Sequence, residues 1–167
     1  MPELPEVETV RRGLAQVLVG RRLSRVITRR RNLRWPLPEN FGQRLTDRQV
    51  LSVERRAKFI VIRLDSELVW ISHLGMSGRF STYRQSVPPE ENHDHIIIET
   101  DEGVTLRYND PRRFGSVDIT KRRDLLGHPT IRMLGVEPLT REFNEGWLSD
   151  RLLGRQAPIK NLLMEIF

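Results

Sequence analysis

Apolar residues recur at helical spacing at the start of the chain: Val7, Val10, Leu14 and Val17-Leu18. This stripe predicts an amphipathic helix that docks on a core. Pro5 suits the first helical position, Glu6 and Glu8 complement the positive end of the helix dipole, and Gly20 is a stop. From residue 21 onward the pattern shortens to strand-like runs rich in β-branched residues. Candidates are Leu23–Thr28, Val50–Arg55, Phe59–Leu64, Leu68–His73, Gly78–Tyr83, His95–Thr100, Val104–Tyr108 and Ser116–Thr120. Turn signals at Asp65-Ser66, Gly75, Pro88-Pro89, Asp101-Glu102-Gly103 and Asp110-Pro111 separate several of them. Strands at this spacing with no helix between them predict an antiparallel sandwich or barrel. Arg34–Pro38 reads as a loop.

After Lys121 helical spacing returns. Leu125-Leu126, Ile131 and Leu134 precede a stop at Gly135, and Thr140 is a possible cap for a helix carrying Phe143, Trp147, Leu148 and Leu152. Arg155–Pro158 reads as a linker, and Pro158 opens a further helix. The expected class is α+β, mainly β: an N-terminal helix docked on an eight-stranded antiparallel β-sandwich, with short helices at the C-terminal end. The expected division is a domain over 1–135 and a second piece over 136–167. The pattern breaks off at Phe167, as at the start of another domain.

Composition narrows the function. Hydrophobic residues make up 38% and charged residues 30% of the 167. No apolar run reaches the ~20 residues of a membrane span. The acidic N-terminus lacks the order of a signal peptide, so a cytoplasmic location is expected. There is no cysteine, which excludes disulfides and a thiolate zinc site. Lys and Arg number 28 against 22 Asp and Glu, a net charge of +6. Arginine clusters at 21–22, 29–31, 55–56, 112–113 and 122–123. This suits a polyanionic partner, and the forked phosphate bonds of Arg favour nucleic acid over a membrane surface. The other reading is a solvated basic face.

Candidate chemistry begins at Pro2-Glu3. Pro is a small second residue, so removal of Met1 is expected and leaves a terminal secondary amine. Such an amine has only an iminium as its route to a carbonyl adduct, and it titrates near ~8. Pro2 is thus a candidate nucleophile and Glu3 an adjacent acid/base, unless Pro2 merely starts a helix. Lys58 stands at the entrance of an apolar strand, as a snorkelling lysine or as a phosphate or proton-transfer group. His73–Gly78 is a tight turn that presents Met76, either as core or as a wedge for a base stack. Asn109–Gly115 presents Arg112 and Phe114, a combination suited to stacking. Together the two loops point to a device that replaces an extruded base. His93-Asp94-His95 is half a metal site or supplies a phosphate contact from His93.

These segments, Pro2–Thr9, Arg55–Lys58, His73–Gly78, His93–His95 and Asp110–Gly115, resemble in order and spacing the bacterial formamidopyrimidine-DNA glycosylases. Leu4 favours that family over endonuclease VIII, where glycine is usual. The resemblance implies a monomeric, bifunctional base-excision repair enzyme acting on damaged double-stranded DNA. It would excise 8-oxoguanine and formamidopyrimidines, then cleave the strand by β,δ-elimination. By the same resemblance Pro2 is the nucleophile, Glu3 the proton donor and acceptor at the sugar, and Lys58 the proton donor for elimination and a phosphate ligand. Met76, Arg112 and Phe114 fill the void left by the flipped nucleotide, with Arg112 bonding the orphaned cytosine. His93 and His73 hold phosphate, and Lys160 is a basic position near the lesion.

The family continues beyond this length, through a helix–two-turns–helix module and a four-cysteine zinc finger. By that pattern residues 136–167 hold a connecting helix and the start of the module, and no cofactor is expected in this chain. The competing expectation is a truncated, catalytically impaired remnant that binds DNA without specificity. RNA binding by a small basic β-domain is a third reading, and it leaves Pro2-Glu3 unexplained.

Overall fold

The computed structural model describes residues 2–166, with side chains through Leu163. The expected loss of Met1 falls outside the described residues. The chain divides into two compact units, Met1–Leu125 and Leu126–Phe167; the division expected from sequence lay between residues 135 and 136.

The first unit opens with helix α1, Leu4–Leu18. It starts one residue before Pro5, and its buried positions Val7, Leu14 and Leu18 belong to the stripe read from the sequence. Gly20, just past its end, takes a positive φ of 81°. Eight strands follow: β1 (Leu23–Thr28), β2 (Val50–Arg56), β3 (Phe59–Leu64), β4 (Leu68–His73), β5 (Arg79–Tyr83), β6 (Asp94–Thr100), β7 (Thr105–Asn109) and β8 (Ser116–Lys121). They form two four-stranded antiparallel sheets, ordered β1-β6-β7-β5 and β2-β3-β4-β8.

Both sheets feed one core. Val26, Ile96, Ile98 and Leu106 of the first sheet cluster with Val50, Val53, Ile60, Ile62 and Trp70 of the second. Helix α1 packs against β2 and β3. Each fully buried aliphatic side chain contributes roughly 1.5–3 kcal/mol, while an exposed ion pair is worth ~1 kcal/mol or less. The core therefore decides the fold, and polar groups are left to set finer geometry. One element was not expected. Helix α2, Phe41–Leu45, packs against β1 and buries Phe41 edge-on to Trp70, with ring centroids 5.9 Å apart. At five residues it is too short to show a helical period.

Two readings near the C-terminal end need correction. No α-helix forms over Leu125–Leu134; a 3₁₀ turn at Arg122–Asp124 gives way to turns. Gly127 is a weak helix former, and Pro129 lacks an N–H and clashes with the preceding turn, so the apolar spacing there is not realised as a helix. Thr140 is not a helix cap. Its hydroxyl donates to the Glu137 carbonyl at 2.8 Å. Helix α3, Glu145–Leu152, is capped instead by Asn144, whose side-chain oxygen accepts from the Trp147 N–H at 3.0 Å. Asn is among the strongest cap residues, and here it stands three positions before that donor. Helix α4, Ile159–Ile166, follows Pro158 as expected. Among the described residues no helix is long and apolar enough to cross a membrane.

Candidate active site

Two segments far apart in sequence meet at the start of α1. Strands β2 and β3 pair up to Arg56 and Phe59, leaving Ala57-Lys58 as the connection. Ala57 takes a positive φ of 49°, an uncommon conformation for a residue with a Cβ. The turn directs Lys58 to the helix start, where its Nζ lies 2.7 Å from Oε2 of Glu3. Bonding to the Lys58 ammonium holds the Glu3 carboxyl below its ordinary pKa, against a smaller opposing effect of burial. The Glu3 N–H donates to the Glu6 carboxylate, which orients the chain just past half-buried Pro2. A terminal amine at Pro2 would thus stand beside a carboxylate and an ammonium in contact with each other.

A second group forms around two loops. His73 closes β4 and packs against Phe59 with the rings tilted by 51° and their centroids 4.8 Å apart. Its Nδ1 accepts the Gly75 N–H at 3.0 Å. The neutral ring therefore carries its proton on Nε2, as a donor. Burial first, then the charges of Arg34 and Lys58, push the His73 pKa down, which keeps it neutral at physiological pH. Gly75 has a φ of 65°, and a Cβ there would overlap the backbone of Phe114 and Gly115. The two loops are thus seated backbone against backbone.

Asp110 joins them further. It is fully buried, and its carboxylate accepts from Ser77 Oγ at 2.5 Å, the Gly115 N–H at 2.8 Å and Tyr108 OH at 3.3 Å. Ser77 Oγ in turn accepts the Arg112 N–H at 3.1 Å. Burial and the Asp110 charge push the Tyr108 phenol pKa far up, so it stays a donor. At the tips, Met76 is 44% and Phe114 43% exposed, and the Arg112 guanidinium lies 4.8 Å from the Phe114 ring centroid. Met76 is therefore not core. Leu33, Arg34, His73, Met76, Arg112 and Phe114 line one hollow.

His93 is exposed on the loop before β6, and its carbonyl accepts the Asp110 N–H at 3.1 Å. Arg107 of β7 staples this loop by donating to the carbonyls of Pro88 and Pro89 and to Asp94. His95 lies beside it. It is buried, with its ring centroid 6.1 Å from that of His93 and its Nε2 2.9 Å from the Asp110 carbonyl oxygen. Among the described residues no group of three His, Cys, Asp or Glu could hold a metal ion. Lys160 is exposed on α4, in the second unit.

Sequence reading missed Arg34, Ser77 and the hub role of Asp110. Arg34 fell in a stretch read as a loop, and Ser77 and Asp110 fell within the segments His73–Gly78 and Asp110–Gly115 without being singled out.

Residues 1–117 match the family model of the formamidopyrimidine-DNA glycosylase N-terminal domain. The formamidopyrimidine-DNA glycosylase of Dinoroseobacter shibae is 44% identical over 173 residues, covering 99% of this chain and 61% of that protein. That of Rhodospirillum rubrum is 48% identical over 166 residues, covering 99% and 59%. The chain thus spans about three fifths of the length of the curated relatives it matches. A crystal structure of the Lactococcus lactis enzyme in complex with DNA containing an abasic site superposes with a TM-score of 0.86 at 29% identity, covering 99% of this chain and 61% of that one. Another, with DNA containing an oxidised pyrimidine, gives 0.85 at 30% identity, with the same coverage. The chain belongs to the formamidopyrimidine-DNA glycosylase family.

Proposed function

We propose that this chain carries the catalytic machinery of a base-excision DNA glycosylase that removes oxidised purines and cleaves the strand through an iminium at Pro2. The observation that carries the reading is the Glu3–Lys58 contact beside the N-terminal proline. Damaged duplex DNA is the partner, as in the complexes of the Lactococcus lactis relative.

The chemistry balances with the groups at hand. The neutral Pro2 amine attacks C1′ of the damaged nucleotide, and the glycosidic bond breaks with its electron pair leaving on the base. Glu3, a carboxylate at the outset, takes the proton that the attacking amine gives up and delivers it to the ring oxygen as the sugar opens, leaving the iminium. That cation acidifies the C2′ hydrogen. Its removal expels the 3′ phosphate, and a second elimination expels the 5′ phosphate. Lys58 supplies a proton and a positive charge to these departures. His73, a neutral Nε2–H donor, holds a phosphate oxygen, and His93 holds another. Met76, Arg112 and Phe114 occupy the space vacated in the stack, with Arg112 bonding the orphaned cytosine. Lys160 supplies a further basic contact to the DNA. No cysteine is present, so no thiolate zinc site belongs to these 167 residues.

Borohydride trapping on duplexes carrying an abasic site or 8-oxoguanine tests the reading. Protein with a free Pro2 is expected to give a covalent adduct, and protein with an uncleaved N-terminal extension none. An adduct from the extended form, or none from the mature form, sinks the proposal.

A further inference from the structure

Helix α1 and the β2–β3 turn carry the two halves of the site, 55 residues apart in sequence, and something must hold them in register. The Glu3–Lys58 pair cannot do so alone. Its side chains are 52% and 28% exposed, and such pairs barely offset the entropy of ordering them. Hydrophobic docking of α1 on β2 and β3 is not directional either. A directional link exists one turn into the helix. Glu8 accepts from Arg11, from Arg12 and from Arg55 of β2, the last at 3.2 Å. Arg55 is only 12% exposed. Its other arm donates to the Ala57 carbonyl at 3.0 Å, and Arg11 likewise donates to the Val53 carbonyl at 3.2 Å.

We infer that Arg55, anchored by Glu8, is the positioning residue that sets Lys58 against Glu3 and so keeps the lysine in register with the terminal amine. This rests on the reading of Pro2 and Lys58 given above. The planar guanidinium suits the task because its donors sit in a rigid fork. One arm fixes the helix carboxylate, while the other holds the carbonyl of Ala57, whose backbone is in the left-handed region. Release of that carbonyl frees the turn, and Lys58 with it. Three guanidinium partners hold the Glu8 carboxyl down to a pKa of about 2, so the anchor stays charged wherever the enzyme works.

The test uses Arg55→Ala, Arg55→Lys and Glu8→Gln in the full chain with a free Pro2. Three quantities are read on abasic duplex and on free protein: borohydride-trapped adduct, single-turnover strand cleavage, and the NMR titration of the Glu3 carboxyl. A misplacement of about 1 Å costs on the order of 10²-fold. Arg55→Ala is expected to slow cleavage by roughly 10- to 100-fold while adduct still accumulates, and to let the Glu3 pKa rise toward its ordinary value. Arg55→Lys keeps charge and stem but loses the fork, and is expected to rescue little. Glu8→Gln falls between. Cleavage and Glu3 titration at wild-type values in both Arg55 variants overturn the inference. So does full rescue by lysine, or an equal loss of adduct and cleavage with Glu3 titration unchanged. Absence of adduct from the wild type refutes the iminium reading instead, and the Glu3 titration still decides whether Arg55 places Lys58.

Discussion

At the scale of single residues, the site is a set of charges whose states are set by their neighbours. Glu8 shows the sign most clearly. Its folded pKa lies near 2 against an ordinary 4.5, so its contribution to stability is fully present above about 4.5 and is lost as pH falls toward 2. With its side chain partly exposed, that contribution is roughly 1–2 kcal/mol after solvent screening. Glu8→Gln is therefore expected to lower Tm by a near-constant amount from neutral pH down to about 5, with the gap closing below that. Thermal melts of both proteins across pH 2–7 check this. A gap that widens in acid contradicts it. That Pro2, Glu3 and Lys58 are candidates for chemistry was legible in the residue types themselves. Their spatial meeting was not, because no local pattern links position 3 to position 58.

At the scale of elements, all eight strands were legible within a residue or so at each end, because alternation and turn chemistry are local signals. Helix α2 was not, since a single turn has no period. The stretch after Lys121 misled, because its apolar spacing is helical while Gly127 and Pro129 forbid the helix. The coupling of the two loops was hidden for another reason: Ser77 and Asp110 lie 33 residues apart and are brought together only by the tertiary fold. That coupling makes firm predictions. Gly75→Ala places a Cβ into backbone at a positive φ, where neither neighbour is a flexible side chain. It is expected to cost on the order of 2–4 kcal/mol, read by chemical denaturation. Asp110→Ala strips partners from Ser77, Tyr108 and Gly115 at once and is expected to cost about 3 kcal/mol or more. Either variant folding at wild-type stability means that the loops are not seated together.

At the scale of the whole molecule, the principal core lies within the first unit. A polypeptide ending at Leu125 is expected to fold alone, with a cooperative melt and the far-ultraviolet spectrum of a β-sandwich. A chain of this length that stays unfolded refutes that independence. The net charge of +6 adds an expectation about salt for the proposed DNA partner. Affinity should fall steeply with salt, and Arg112→Ala should weaken the orphaned-cytosine contact without abolishing the trapped adduct, because Pro2 is untouched. Fluorescence anisotropy over a salt series, with a cytosine or another base opposite the lesion, separates the two effects.

The seat of Gly75 on Phe114 and Gly115 also governs how lineages of this fold can drift. Neither Gly75 nor Gly115 can gain a side chain without overlap, and neither loop can gain or lose a residue without unseating the other. Across descendants the two loops should therefore inherit their lengths as one character, with gaps appearing in both or in neither. The seat uses the backbone of Phe114 and not its side chain, so it does not by itself fix which side chains stand at positions 76, 112 and 114.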